Sequence, residues 1–242
     1  MQNKLLFLDT ETTGREEQDR IFQVAYEFEG KERAELFKPP LPLSIEAMEA
    51  THYTNRDVAD KPAFQETQFY KELKDLLERD DVVFVAHNAP FDIEMLHRDG
   101  LEVVRFIDTL KVAQYLDPEA KLGAYRLQYL RYALDLRVDD AQAHDALGDV
   151  RVLKALFERL FKKLVQELKD EEQVIEKMEE ISRSPTEIKR ISFGKHQGKL
   201  LIEILEEDRG YLEWLLKQKE QDTENPHDQN EDWIFTLRKL LG

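Results

Sequence analysis

Residues 5–14, LLFLDTETTG, decide the fold of this chain, because they join a short apolar strand to two acidic side chains. Residues two apart in an extended chain project to the same side, so Asp9 and Glu11 present their carboxylates together. The end of a strand is also a usual position for the active site of an α/β protein. Taken alone, an acidic turn held by threonine hydrogen bonds explains the segment at least as well.

The segments on either side extend this strand into a larger pattern. Short apolar runs bounded by glycine predict strands, and apolar residues at helical spacing predict helices. Strands that come first and then alternate with helices predict an α/β fold with a mixed five-stranded sheet flanked by helices. The predicted strands are Leu5–Leu8, Ile21–Phe28, Arg33–Phe37, Val82–Ala86 and Val103–Ile107, and the predicted helices are Ser44–Thr51, Ala63–Arg79, Pro90–Arg98, Thr109–Leu116, Tyr125–Ala133 and a long one from about Asp145.

Two further acidic motifs lie where predicted elements meet. Residues 87–92, HNAPFD, join a buried strand to a helix and place Asp92 in the first helical turn, where the helix dipole favours a negative charge. Residues 144–149, HDALGD, open the long helix. Residues five apart do not share a helix face, so His144 belongs on the preceding loop, with Asp149 in the early turns. Each motif alone also has a structural explanation, as a helix-end acid or a surface histidine.

Together, in this order, the three motifs resemble those of the DnaQ-like superfamily of 3′→5′ exonucleases, in the branch often written DEDDh. That pattern is Asp-x-Glu after the first strand, Asn-x-x-Phe-Asp at a strand–helix junction, and His followed by Asp five residues later. The resemblance covers Lys4 to about Leu160. It implies a ribonuclease H-like sheet and a hydrolase that cuts phosphodiester bonds at a free 3′ end, releasing nucleoside 5′-monophosphates.

The same resemblance implies a site with two divalent cations, Mg²⁺ or Mn²⁺, which hard oxygen ligands select. His144 would be the general base, since an imidazole titrates near neutral pH. His52 matches a position that touches the terminal nucleotide, although Tyr53 stands where the family usually has isoleucine and would reshape that pocket. The implied metal ligands are Asp9, Glu11, Asp92 and Asp149, and the implied substrate contacts are Thr10, His52, Asn88 and Phe91.

The helical pattern of the second half stops at Ser184-Pro185-Thr186. Proline cannot continue a helix, and the composition changes after it. We therefore predict a domain boundary there. Residues 1–184 would form the exonuclease domain with its long C-terminal helix, and residues 185–242 would form a small α+β module.

This C-terminal segment contains a second informative motif. Residues 193–199, FGKHQGK, followed by residues 210–216, GYLEWLL, resemble the C-terminal module of exodeoxyribonuclease X-like proteins. The resemblance favours DNA over RNA as the substrate. Lys195 and Lys199 are candidate phosphate contacts, because glycines let a backbone approach a phosphate closely. A glycine turn with incidental lysines explains them equally well.

The composition limits the classes of function. The 242 residues carry a net charge of −16, which argues against a protein that coats DNA non-specifically. It does not argue against a metal nuclease, because bound cations add positive charge that the sequence does not show. Without cysteine there are neither disulfides nor thiolate metal sites. No apolar run has membrane-spanning length and the start lacks a secretory layout, so we expect a cytoplasmic protein without a membrane partner.

Two other functions fit the same residues, and a third fits them less well. A polymerase proofreading subunit would use the C-terminal segment to dock a polymerase or another replication or repair protein. An RNA-trimming exonuclease would share every catalytic residue. A non-catalytic nucleic-acid-binding protein on this fold would be expected to have lost at least one acid, and none is missing. The sequence does not determine the preference for single or double strands, or the oligomeric state.

Overall fold

The computed structural model describes residues 3–138, 145–221 and 230–242, and a five-stranded sheet forms its centre. The strands lie in the order β3-β2-β1-β4-β5. β1 pairs antiparallel with β2 and parallel with β4, so the sheet is mixed, as predicted. The strand bounds are β1 (Lys4–Thr12), β2 (Ile21–Phe28), β3 (Lys31–Leu36), β4 (Val82–Ala86) and β5 (Phe106–Asp108).

The central strand β1 buries apolar side chains on both of its faces. Leu6 and Leu8 belong to the hydrophobic cluster on one side of the sheet, and Phe7 belongs to the cluster on the other side. This is the alternation that a strand imposes, and a sheet covered on both faces needs it. Because the alternation continues along the strand, Asp9 and Glu11 lie on the Phe7 face.

Helices cover both faces of the sheet. After β3 come α1 (Ile45–Thr51), α2 (Asn55–Val58) and a 3-10 turn (Phe64–Glu66). The Leu6 face is covered by two helices, α3 (Gln68–Leu77) and α4 (Ala89–Arg98). The Phe7 face is covered by four, α5 (Thr109–Tyr115), α6 (Leu127–Ala133), α7 (Ala146–Leu168) and α8 (Glu171–Arg183).

Two predicted elements are shorter than the sequence indicated. The predicted helix Ala63–Arg79 is divided at Thr67, whose extended backbone ends the 3-10 turn and caps α3. Its Oγ1 accepts a hydrogen bond from the Tyr70 N–H at 3.0 Å. The predicted strand Val103–Ile107 is replaced by the short β5, which pairs only with the last three residues of β4. Val103 packs on the Leu6 face without joining the ladder, and Val104 is exposed.

The residues beyond α8 form a small module with a hydrophobic cluster of its own. Trp233 and Leu212 are among its buried members. One antiparallel bridge joins Arg190 to Leu200, and the segment between them contains a 3-10 turn (Gly194–His196). This bridge is the β part of the predicted α+β module. The helices are α9 (Leu201–Glu207), α10 (Arg209–Gln221) and α11 (Asn230–Leu241). None of the helices among the described residues has the length and apolar character needed to cross a bilayer.

Candidate active site

The site is built around three carboxylates from β1 and α7. Asp9 and Glu11 lie on the Phe7 face of β1, and α7 packs against that face through Val150 and other apolar residues. One oxygen each of Asp9, Glu11 and Asp149 lies within 4.8 Å of the others. The strand alternation and the helix start that the sequence predicted therefore bring three of the four predicted acids together.

The N-terminus of α7 is held in place by side chains on two sides. Asp145 is the N-cap, and its side chain accepts a hydrogen bond from the Gly148 N–H at 3.3 Å. Gln23 of β2 accepts from the Ala146 N–H at 3.5 Å. These contacts fix the first turn of the helix, and Asp149 lies in that turn.

Asp92 reaches the site from the first turn of α4. Its side chain is buried, and its Oδ1 accepts hydrogen bonds from the Thr10 N–H at 3.1 Å and from the Thr10 Oγ1 at 2.7 Å. Asn88 turns the chain from β4 into α4 with a left-handed φ of 66° and donates its N–H to Asp108 Oδ1 at 2.9 Å. These two hydrogen bonds tie Asp92 to the strand between Asp9 and Glu11, and Thr10 stays a predicted substrate contact.

The acids share a poorly hydrated space and repel one another. Burial, with the charges of Asp92 and Glu11, raises the pKa of Asp9 well above its usual range. Burial and the charge of Asp149 raise the pKa of Glu11 to about 8. Burial also raises the pKa of Asp92 to about 7, against the two hydrogen bonds from Thr10. A cation among these groups would favour their charged forms and remove the repulsion.

Gln128 of α6 is a site residue that the sequence did not reveal. Its Nε2 donates to Asp149 Oδ1 at 2.5 Å, so it holds one oxygen of a candidate metal ligand. Its own Oε1 is buried and has no hydrogen-bond partner among the residues described. The contact depends on how α6 packs against α7, which no local pattern of residues gives.

The predicted nucleotide contacts differ in their burial and in their neighbours. His52 ends α1 with a left-handed φ of 62° and is exposed. Tyr53 turns inward, and its hydroxyl accepts from Gln23 Nε2 at 3.3 Å. Burial raises the Tyr53 pKa, with the charges of Asp145 and other acids adding to the effect. Phe91 is half-buried against the Leu6 face.

One histidine near the site is structural, and another lies outside the residues described. His87 Nδ1 lies 2.9 Å from Thr109 Oγ1, and its Nε2 lies 2.7 Å from the carbonyl oxygen of Tyr125. Burial lowers its pKa to about 4, so the ring is neutral and joins the end of β4 to the segment before α6. His144, the predicted general base, precedes the first described residue of the α7 segment, Asp145.

Both lysines predicted to contact phosphate pair with acids of their own module. Lys195 Nζ lies 2.6 Å from Asp208 Oδ2, and Lys199 pairs with Glu207. His196 Nε2 also contacts Asp208 at 3.0 Å, and the hydrogen bonds from Lys195 and His196 lower the Asp208 pKa to about 2. These pairs neutralise much of the positive charge on which the prediction of phosphate binding was based.

The site is chemically suited to a divalent cation. The three clustered ligand atoms are carboxylate oxygens, and Asp92 adds a fourth carboxylate behind Thr10. Hard oxygen donors of this kind bind alkaline-earth ions and manganese in proteins. The raised pKa values show that the acids are unfavourably close without a positive charge between them. The residues therefore fit a metal-dependent reaction.

Comparison with known proteins identifies the same two parts. The family model described as an exonuclease matches residues 6–157, and the model of the exodeoxyribonuclease X-like C-terminal segment matches residues 191–220. Exodeoxyribonuclease 10 of Escherichia coli (strain K12) is 30% identical over 218 residues, covering 87% of this chain and 90% of that protein. The DNA polymerase III subunit epsilon of Treponema pallidum (strain Nichols) is 33% identical over 164 residues, covering 62% of this chain and 72% of that protein.

Solved structures give a consistent result. The structure of exonuclease X in complex with 5′ overhanging duplex DNA aligns with a TM-score of 0.56 at 25% identity, covering 74% of this chain and 99% of that chain. Exonuclease I of E. coli in complex with a dA16 oligonucleotide has the same fold, with a TM-score of 0.53 at 21% identity over 68% of this chain and 43% of that one. The chain therefore belongs to the exonuclease family, whose members depend on divalent metal ions, and its C-terminal segment is of the exodeoxyribonuclease X type.

Proposed function

We propose that this 3′→5′ exonuclease acts on DNA and uses two divalent cations, Mg²⁺ or Mn²⁺. The observation that carries the proposal is the convergence of Asp9, Glu11 and Asp149 within 4.8 Å. DNA is favoured because the relatives that match both parts of the chain are exodeoxyribonucleases, and because a similar solved structure, exonuclease X, holds duplex DNA. The product of each cycle would be a nucleoside 5′-monophosphate and a strand one nucleotide shorter.

The reaction replaces one phosphorus–oxygen bond by another. A water oxygen attacks the last phosphorus, the bond to the 3′ oxygen of the preceding nucleotide breaks, and that oxygen leaves as the new 3′ end. Asp9, Glu11 and Asp149 would hold one cation, with Asp9 and Asp92 supporting a second. Cations there supply Lewis-acid activation of the water and of the leaving oxygen. His144 would accept the proton of the attacking water.

The substrate contacts are assigned on the same basis. Thr10 uses its N–H and hydroxyl on one oxygen of Asp92, so it orients that carboxylate as well as being a predicted substrate contact. Phe91 would pack against the terminal base, because every base offers a face for stacking. His52 and Asn88 would contact the terminal nucleotide. Residues 1–184 would carry the reaction and residues 185–242 would serve substrate or partner binding.

The test of this proposal is hydrolysis of end-labelled oligonucleotides with and without metal. We expect cutting from the 3′ end that requires added Mg²⁺ or Mn²⁺ and stops with a chelator. Asp9→Ala and Asp149→Ala should each lose most of the rate, because one missing ligand disrupts the shared geometry of two ions. Asp60→Ala, an exposed acid on another surface, is the matched control. Undiminished hydrolysis by either site variant would contradict the proposal.

His144→Ala separates the proposed base from the proposed ligands. Loss of a general base slows proton transfer, so we expect a decrease of about 10²–10⁴-fold in the chemical step. Metal affinity, measured by calorimetry, should remain close to that of the unaltered protein. A loss of metal affinity as large as that of Asp149→Ala would instead make His144 a ligand.

Two alternative functions, RNA trimming and polymerase proofreading, are tested with the same protein. Labelled RNA of the same sequence tests the RNA-trimming function, and faster cutting of RNA than of DNA would favour it. The similarity to a polymerase III epsilon subunit favours a proofreading role as the second candidate. That role predicts a stable complex of the full-length chain with a purified replicative polymerase from its own organism, measured by gel filtration.

A further inference from the structure

A cleft lies between the exonuclease fold and the C-terminal module. It has a volume of about 550 Å³ and opens between α6 with the segment before it and residues 187–192 and 197–198 of the module. Tyr129 of α6 lines one side and is 38% exposed. Trp233 of α11 lines the other side and is almost completely buried. The cleft therefore has one accessible aromatic ring, Tyr129, and one buried ring, Trp233.

The cleft is positively charged although the chain carries a net charge of −16. Arg126 and Arg190 line it, and a third basic residue, Lys189, pairs with the one acid of the lining, Glu187, at 2.6 Å. The Arg126 side chain is exposed and makes no hydrogen bond or ion pair to any residue described. Arg190 donates to the carbonyl oxygens of Gly198 and Ala120 rather than to a carboxylate, so its charge is not neutralised.

Two buried polar atoms of the cleft lining lack partners. Arg190 Nε and Gln114 Oε1 are inaccessible to solvent and have no hydrogen bond among the residues described. An unpaired buried donor or acceptor costs about 1–3 kcal/mol, so such atoms are usually completed by a water or a ligand. Because solvent does not reach either atom, an occupant of the cleft would touch the exposed groups of the lining, Arg126 and Tyr129, instead.

The wall of the cleft adjoins the metal site. Gln128, next to Tyr129 on α6, donates to the candidate ligand Asp149. Tyr125, which also lines the cleft, is held through its carbonyl oxygen by His87, next to Asn88 at the start of α4. The helix that lines the cleft with Tyr129 therefore also carries Gln128, which contacts a candidate metal ligand.

We propose that this cleft binds a single strand of nucleic acid, namely the part of the substrate that precedes its 3′ end. Uncompensated arginines beside an exposed aromatic ring are the combination that binds single strands without regard to sequence, by phosphate contact and base stacking. Lys195 and Lys199 each pair with a carboxylate, whereas the two arginines of the cleft do not, so we expect the cleft to contact phosphate more strongly than the glycine loop does. This inference rests on the proposed function.

The test compares three full-length variants that each remove one positive charge. Arg126→Gln alters the cleft, Lys195→Gln alters the glycine loop, and Lys71→Gln alters α3 on the opposite face of the sheet. The dissociation constant of a labelled single-stranded DNA dodecamer is measured by anisotropy in chelator, at low and at moderate salt. A duplex of the same sequence is titrated in parallel.

The cleft variant should bind the single-stranded dodecamer about fivefold more weakly at low salt, and its slope of log affinity against log salt should fall by about 0.7 for one lost phosphate contact. The α3 variant should match the unaltered protein. Equal affinities of the cleft variant and the unaltered protein, or a loss found only in the glycine-loop variant or only with the duplex, would overturn the inference. Hydrolysis of a trinucleotide by the unaltered protein in Mn²⁺ is assayed separately, and its absence would reject the proposed function rather than the cleft.

Discussion

At the scale of single residues, the acids of the site favour their protonated forms without metal and their ionised forms with it. Glu11 and Asp92 have pKa values raised to about 8 and about 7, so the metal-free folded protein binds protons that the unfolded chain has already released. A group with a raised folded-state pKa contributes stability that is lost as pH rises through that pKa. His87, with its lowered pKa, acts in the opposite direction only below its ordinary value of 6.5.

The first prediction follows for the metal-free protein between pH 6.5 and 8.5. Its melting temperature in chelator should fall as the pH rises across this window, because the retained protons are lost. Added Mn²⁺ should raise the melting temperature most at the high end, since metal binds the ionised acids. Asp9→Asn, which imitates the protonated acid, should raise the metal-free melting temperature at pH 8.5, while Asp60→Asn should not. A metal-free melt that is independent of pH would contradict the repulsion.

The second prediction concerns the contact between Gln128 and Asp149. Partners that orient a metal ligand typically contribute 10–100-fold in metal affinity or activity. Gln128→Leu should therefore raise the Mg²⁺ concentration needed for half-maximal rate, with a smaller loss of kcat at saturating metal. Tyr132→Leu on the same helix is the control, because Tyr132 is exposed. An unchanged metal requirement in Gln128→Leu would show that the hydrogen bond does not position the ligand.

At the scale of elements, the sequence predicted best where one local rule decides the structure. The strand Ile21–Phe28 and the strand Val82–Ala86 have the predicted ends, because the first is an alternating apolar segment and the second a continuous one, each bounded by polar breaks. The grouping of Asp9 with Glu11 followed from strand alternation in the same way. Gln128 could not be predicted, because its role depends on the packing of α6 against α7. The short β5 could not be predicted either, because the length of its ladder is set by β4.

The division of Ala63–Arg79 is a case in which a side chain overrides helical spacing, and it gives the third prediction. Thr67 Oγ1 accepts from the Tyr70 N–H and donates to the Phe64 carbonyl oxygen at 2.7 Å. Loss of an N-cap costs about 0.5–2 kcal/mol, so Thr67→Ala should lower the free energy of unfolding by that amount. Thr67→Ser keeps the hydroxyl and should recover most of the loss. Urea unfolding of both variants decides the matter, and equal losses would indicate packing rather than capping.

At the scale of the whole molecule, the module is joined to the exonuclease fold by a buried ion pair. Lys111 Nζ of α5 lies 3.2 Å from Asp232 Oδ1 of α11 and donates to the Ser184 carbonyl oxygen at 3.0 Å. Asp232 Oδ1 also accepts from the Thr186 N–H at 2.7 Å. A protein cut at Ser184 would leave Lys111 without its buried partner. Removal of the module is therefore a poor test of its function, and substitutions in the full chain are the better choice.

The fourth prediction measures this connection directly. Removing one partner of a buried pair leaves an uncompensated charge and costs about 3–5 kcal/mol, so Lys111→Met and Asp232→Asn should each be strongly destabilising in urea at pH 7.5. The double variant should lose less than the sum of the two, because neither charge is then left alone. The control residue Lys239 lies on α11, as Asp232 does, and forms an exposed pair with Glu187. Lys239→Met should change the free energy of unfolding by less than about 1 kcal/mol.

The pH dependence of the Lys111→Met variant distinguishes a lost ion pair from lost packing. Burial already raises the Asp232 pKa, and Lys111 opposes that rise. Without Lys111 the pKa should rise further, so the variant should regain stability as the pH falls from 7.5 to 5.5 and Asp232 takes up a proton. Lost packing would give the same deficit at both values of pH. A constant deficit, together with additive losses in the double variant, would mean that the module is held by its apolar contacts and not by this pair.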